Sequence, residues 1–489
     1  MRYKILSVFA ALAVISACGD LTSINQNPNG PTDVPPPSIL PSLIQTAVNG
    51  VNGVNSLNIR GGGLWVQYYS EIQYRDEDKY IVRSGTSGGW GFYNGGVEDA
   101  RRIIQKGEAA NAPNWTAVGR IMKSYLFSVM TDAMGDLPYK EALKADTILH
   151  PVYDTQQSIY DSLFANLARA NSEFDFGTAA TGFPTGDLLY RGNLSKWRKF
   201  ANSLRLRLAM HLTNVDPTKA RTEAAAAVAA PGGVFASNAD NATLLYLATS
   251  PNRNPIYNDA RGRDDYGMSK TFVDSLTSWS DPRLPVFAQL NDDTIPANRT
   301  YQGLSNGLND GEGPNLFYIS RIGAFWRETP NAPMDLLTYS EVLFLEAEAA
   351  ERGWIAGSAA TFYNDAIRAS FNQYGITDTT VINTYLAQPR VAYTPGPTGL
   401  TQIAYQKWVS LFMQGMEAWT EVRRTRVPLL VPGPRAVFGA GAPGRIPERL
   451  PYDDQENVLN AANVAAAVAA QGFTASNDIQ KPLWFTGRQ

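Results

Sequence analysis

The chain of 489 residues contains a single cysteine, Cys18. No intramolecular disulfide can form, and a zinc site built on several thiolates or a Cys–His nucleophile pair is excluded. Histidine is nearly as scarce, with only His150 and His211. Neither a His-Glu-x-x-His nor a Walker A pattern occurs. Basic excess is also missing: 42 Lys and Arg stand against 45 Asp and Glu, a net charge of -3. Nucleic acid, whose phosphates demand a basic footprint, is therefore not an expected partner. Beyond residue 17 no apolar run reaches the roughly 20 residues that a spanning helix needs. The long periodic segments follow helical spacing, which disfavours a membrane β-barrel.

What is present begins at the N-terminus. Arg2 and Lys4 precede a mostly apolar stretch, Ile5–Ala17, which ends in Ile15-Ser16-Ala17-Cys18. At 1.5 Å per residue this stretch spans about 20 Å, short of the ~30 Å hydrocarbon core, so it reads as an export signal. An ordinary secretory signal ends in small residues alone. Small residues before a cysteine resemble the bacterial lipobox, which predicts lipidation at Cys18 and removal of residues 1–17. Residues 18–41 are rich in Asn, Pro and Thr and are expected to form an extended tether. Residues 42–489 then form one large domain, since no composition break divides them.

Hydrophobic residues make up 44% of the chain, enough for a substantial core. Amphipathic helices are predicted at Ser195–Thr213, Thr338–Arg352 and around Tyr405–Arg424 from apolar residues spaced by three and four. Thr338-Tyr339-Ser340-Glu341 has capping-box spacing. Further helices are expected near Thr116–Ala133, Ser158–Ala170, Pro217–Ala230, Ser358–Tyr374 and Asn457–Ala470. Only short strands are anticipated, at Tyr80–Arg83, Thr243–Leu247 and Leu316–Ser320. The fold class is thus mainly α, with TPR-like helix pairs and long irregular loops at 50–95, 248–268, 291–335 and 388–400.

Catalytic signals are weak. Gly-x-Ser-x-Gly occurs around Ser87 and Ser305, but Ser305 has no downstream histidine, and Ser87 sits in a glycine-rich loop without the required strand–turn–helix setting. The acid pairs Asp264-Asp265, Asp292-Asp293 and Asp453-Asp454 read as solvated turns. A helical glycosidase stays open as a rival, because its two carboxylates would be recognised by their separation in space. The Asn309-Asp310-Gly311-Glu312 turn is a weak candidate for a structural calcium, since it lacks the alternating ligands of an EF-hand loop. No other cofactor is expected.

Several segments together resemble the SusD/RagB family of nutrient-binding outer-membrane lipoproteins. They include Asn27-Pro28-Asn29, Asp132-Ala133-Met134-Gly135-Asp136-Leu137-Pro138-Tyr139, Trp197-Arg198-Lys199-Phe200-Ala201-Asn202-Ser203-Leu204 and Asp281-Pro282-Arg283-Leu284. Ser340–Ala349, Ala366–Phe371, Gln406-Lys407-Trp408, Glu417-Ala418-Trp419, Arg423-Arg424-Thr425, Ile446–Tyr452 and Lys481–Trp484 continue the likeness nearly to the C-terminus. The resemblance implies a helical, lipid-anchored protein on the outer face of the outer membrane. It implies a partner, a SusC-like TonB-dependent transporter, for which the protein acts as a lid. It also implies binding of an extracellular oligosaccharide or peptide without catalysis. The remaining alternatives are an exported helical glycosidase and a TPR-like scaffold that binds only protein.

A sugar offers C–H groups to aromatic faces and hydroxyls to Asn, Asp and Arg. The loops mix these residue types, and the residues expected to meet ligand are Trp65, Tyr69, Tyr257, Tyr266 and Trp326 by stacking, with Asp76 and Arg263 by polar contact. For any single aromatic, core packing is the competing reading.

Overall fold

The computed structural model describes residues 33–82, 89–177 and 181–488. Cys18, the signal and most of the tether lie outside them, as does Ser87. The chain opens with helix α1 (Pro36–Asn52). Residues 36–41 therefore depart from the expected tether. Proline is tolerated in the first helical turn, where its missing N–H has no partner to lose. The next turns bury Ile39, Leu40, Leu43, Ile44, Ala47, Val48 and Val51 on one face.

The helices that follow are α2 (Glu98–Ala109), α3 (Pro113–Met134), α4 (Gln156–Glu173), α5 (Leu194–His211) and α6 (Pro217–Ala229). Each packs on the next in sequence. After α7 (Lys270–Ser278) come α8 (Tyr339–Glu351) and α9 (Ala359–Gln373), another packed pair, then α10 (Thr379–Leu386), α11 (Pro397–Ser410), α12 (Gly415–Thr425) and α13 (Ala461–Ala470). One buried apolar cluster runs from Ile39 in α1 to Phe485 near the C-terminus. A smaller one lies among α8, α9, α10 and α11.

Local chemistry explains several boundaries. Asn193 caps α5 by accepting from the Lys196 N–H (3.2 Å), two residues before the expected Ser195. Thr338 caps α8, accepting from the Glu341 N–H at 3.3 Å. The capping box is only half formed, because Arg207 takes the Glu341 carboxylate in a bidentate pair at 2.6 Å. The single helix expected around Tyr405–Arg424 is two, broken at Met413, whose φ of 71° is left-handed. There the irregular turn Leu57–Gly63 lies so close that a Cβ on Gly62 would meet the Gly415 carbonyl at 2.2 Å.

Strand is confined to two short antiparallel pairs, β1 (Tyr69–Glu71) with β3 (Tyr266–Met268) and β2 (Thr243–Leu244) with β4 (Met334–Asp335). The expected strand at Leu316–Ser320 is a single helical turn over Leu316–Tyr318, and Tyr80 ends a similar turn at Glu77–Lys79.

Buried charge ties the helices together. Arg424 pairs with Glu348 and Glu421 at 2.6 Å, Lys407 with Glu421 at 2.7 Å, and His211 with Glu417 at 3.0 Å and Asp132 at 3.1 Å. Burial opposes a charged His211, but Glu417 and Asp132 outweigh it and raise the imidazole to about 10. Glu348 is thus a buried arginine partner rather than part of a solvated helix face. Among the described residues no helix is long and apolar enough to cross a membrane.

Candidate loop face for ligand binding

Three loops that are far apart in sequence meet on one face. β1 brings the first loop against the second, with Glu71 opposite Tyr266, and the Ile72 N–H donates to the Asp265 carbonyl at 2.8 Å. The third loop joins where the Met268 N–H donates to Ser320 O at 2.9 Å. Gly267 permits that approach, since a Cβ there would meet the Ile319 side chain at 2.7 Å. Asp264 then links loops two and three, accepting from Arg321 Nε at 3.1 Å and Arg327 Nη2 at 3.0 Å.

Exposed aromatics lie on this face. Tyr74 is 58% exposed, in the left-handed region at φ 54°, with the Arg263 guanidinium 4.8 Å from its ring centre. A non-glycine residue in that region is uncommon. Phe317 and Tyr318 are exposed beside Arg321. The Tyr257 ring is half-buried and carries Arg261 at 3.5 Å from its centre. Arg263 also pairs with Asp265 at 2.6 Å. Burial, reinforced by Asp265 and Asp264, pushes the Asp259 carboxyl up to about 6.

Of the residues expected to touch ligand, Arg263 and Tyr257 lie on this face, and Asp76 is in the same turn as Tyr74 with Lys79 at 3.5 Å. Trp65 and Tyr69 require correction. Both are wholly buried and present no ring face to a ligand. The Trp65 indole donates to Glu77 O at 3.3 Å and packs edge-on against Trp419, while the Tyr69 hydroxyl meets Met413 Sδ at 3.2 Å. Residues 64–72 run beneath the face, covered on both sides, so their rings fill the core. Tyr266 is buried too, one layer below the surface. Trp326 is 2% exposed and lines an adjoining cavity of about 270 Å³ with Phe325, Tyr374, Asp335 and Gln373.

Phe317, Tyr318 and Arg321 have no sequence signal that singles them out, while Tyr74 and Arg327 belong to the loops' mixture of aromatic and polar residues but not to the seven residues expected to meet ligand. A signal did exist for Tyr74: polar residues flank it on both sides (Gln73, Arg75, Asp76), whereas Leu64 and Val66 flank Trp65.

A second opening of about 450 Å³ lies between the end of α1 and the loop at 251–259, lined by Asn49, Val54, Asn55, Arg253, Asn258 and Asp259.

The groups that hinted at other chemistry are occupied structurally. Ser305 accepts from the Ser70 hydroxyl at its backbone oxygen (3.3 Å) within an irregular loop. Asp293 and Asp453 cap turns through the N–H groups of Ile295 and Gln455. Glu71, Glu77 and Asp78 do cluster, but all three are buried, at the end of β1 and in the turn that follows it, out of a sugar's reach. Burial first, then Asp78 and Glu77, raises the Glu71 carboxyl to about 10. In the Asn309–Glu312 turn, the Asn309 and Glu312 carbonyls accept from Arg75 at 2.7 and 2.8 Å, and the Glu312 carboxylate pairs with Arg435. A guanidinium thus stands where a calcium would need these oxygens. His211, Glu417 and Glu421 lie within ligand distance of a common point. Arg207, Lys407 and Arg424 already neutralise those carboxylates, which leaves no charge for a metal.

Comparison with known proteins identifies relatives of the whole body. The family described as SusD-like, starch-binding and associating with the outer membrane, matches residues 28–453. A structure described as a chitin-binding protein is 30% identical, with a TM-score of 0.81, covering 92% of this chain and 99% of its own. A SusD homologue from Bacteroides fragilis is 26% identical at TM-score 0.80, covering 94% and 100% respectively. A chitin-binding SusD homologue from Flavobacterium johnsoniae shares the fold at 24% identity and TM-score 0.79, covering 92% and 98%. No curated protein matches the chain.

Proposed function

The chain belongs to the SusD-like family, and from that premise we propose that it captures an extracellular oligosaccharide on the three-loop face and passes it on unaltered. The observation that carries this reading is the convergence of exposed Tyr74, Phe317 and Tyr318 with Arg263, Asp264, Arg321 and Arg327 on one surface. Rings supply flat apolar contact and the fixed polar groups meet hydroxyls, the combination that sugar recognition requires. The chitin-binding description of a relative at 30% identity favours a glycan over the alternative of a peptide.

The receiving partner in this account is a SusC-like TonB-dependent transporter, which the protein covers as a lid. Acylation at Cys18 holds the body at the outer membrane, facing the cell exterior. Among the described residues, the clustered acids Glu71, Glu77 and Asp78 are buried, and the part-buried Asp264 and Asp265 are held by arginines, which supports binding without hydrolysis.

Titration calorimetry of residues 19–489 against a panel of oligosaccharides and peptides tests the binding step. Saturable binding with the sugar recovered intact is expected, whereas released product points to a glycosidase and binding of peptides alone removes the glycan. Cys18→Ala is expected to move the protein from the membrane fraction to the soluble one. Its retention in the membrane would refute the anchor.

A further inference from the structure

The loop at 251–265 contains two arginines that no carboxylate of the described residues pairs with, Arg253 and Arg261. Both are held in place without one. Arg253 donates from Nε to Ala248 O at 3.0 Å, and its guanidinium lies 5.7 Å from the Tyr257 ring centre. Arg261 donates from Nη1 to Tyr257 O at 3.1 Å and Arg327 O at 2.7 Å, and lies 3.5 Å from the same centre. Tyr257 therefore serves these cations as a shelf, which leaves less of its ring for a sugar. A guanidinium has five N–H donors, so each keeps several to offer, already oriented by the ring and the carbonyls.

The setting favours an anion. Arg253 lines the 450 Å³ opening together with Asn49, Asn55 and Asn258, whose amides suit hydroxyls. Arg263, Arg321 and Arg327 stand nearby on the same face, held by Asp265 and Asp264. The one acid lining the opening among the described residues is Asp259. Burial and its neighbours Asp265 and Asp264 already disfavour its charge, against Arg263 and Arg327. A second negative group beside it would raise that carboxyl further.

We infer that the ligand is an acidic oligosaccharide, whose carboxylate is received by Arg253 and Arg261 beside Tyr257. This deepens, and rests on, the reading of the three-loop face as a glycan site. Planar, bidentate pairing of guanidinium with carboxylate supplies the selectivity.

The test compares oligogalacturonate with the same oligomer after carboxyl reduction, using calorimetry at low and at moderate salt. Reduction is expected to weaken binding about tenfold or more, and added salt to weaken the uronate selectively. The R253Q/R261Q double variant, verified as folded by its melting temperature, is expected to lose uronate affinity by about the same factor. The two losses should not add when combined. Equal affinity for the acidic and reduced oligomers overturns the inference and leaves the glycan site standing. Tight binding of poly-glutamate with none of uronate overturns it as well. If no oligosaccharide binds in any form, the loop-face reading fails and takes the inference with it.

Discussion

The Arg263 guanidinium lies 4.8 Å from the centre of the Tyr74 ring, joining the first loop of the binding face to the second where both side chains remain more than half exposed. The contact holds one side of an exposed ring while the backbone at Tyr74 sits in the left-handed region. A platform oriented before the ligand arrives loses less freedom on binding.

Tyr74→Ala is therefore expected to weaken oligosaccharide binding about tenfold, the order of a lost aromatic contact and its buried area. Its cost in stability should stay within about 0.5 kcal/mol, as for surface positions generally. Calorimetry and a urea melt on one preparation check both halves of this expectation.

Trp65→Ala should behave in the opposite way. The wholly buried indole packs on Trp419 and donates to Glu77 O, so its removal is expected to cost about 3–5 kcal/mol of stability. Ligand affinity of the molecules that remain folded should be unchanged. A loss of affinity without loss of stability would return Trp65 to the binding site.

The helices were legible because burial imposes a period: the apolar spacing of Trp197, Phe200, Ala201, Leu204 and Leu208 marks α5 to within a few residues. Cap chemistry was legible where a side chain acts locally, as at Thr338. Long-range effects were not. Glu341 leaves its capping role for Arg207, 134 positions away in sequence, and the helical pattern breaks at Met413, beside the close approach of Gly62 to Gly415. The site followed the same division. Composition pointed to the three loops, but it did not separate Trp65 and Tyr69, which run under the face, from Tyr74, which stands on it. Which ring emerges depends on how β1 pairs with β3, and that pairing has no local signature.

The His211 network predicts a pH dependence. The imidazole is raised to about 10 from an ordinary value of 6.5, so the stability it confers is fully present below pH 6.5 and lost as pH rises through about 10. His211→Gln should remove this slope from urea midpoints measured between pH 7 and 10. Leaving Asp132 without its cation, and Glu417 with only Arg207 at 3.6 Å, should cost about 3–5 kcal/mol at pH 7. A variant as stable as the wild type at pH 7 would contradict the charged imidazole.

Glu346 in α8 is 7% exposed, and burial raises its carboxyl to about 7 from 4.5. The folded state holds this proton more tightly, so the group's contribution is greatest below pH 4.5 and is lost as pH rises to 7. Glu346→Gln is expected to be more stable than the wild type at pH 8, by about 1–3 kcal/mol. The advantage should shrink towards pH 5, and thermal melts at the two pH values measure it.

Amide hydrogen exchange with and without bound oligosaccharide tests the location of the site most directly. New protection is expected in peptides covering 72–80, 251–268 and 315–330, the three segments that meet on the loop face. Bound ligand that leaves these peptides unprotected, and shields another surface instead, would contradict the account.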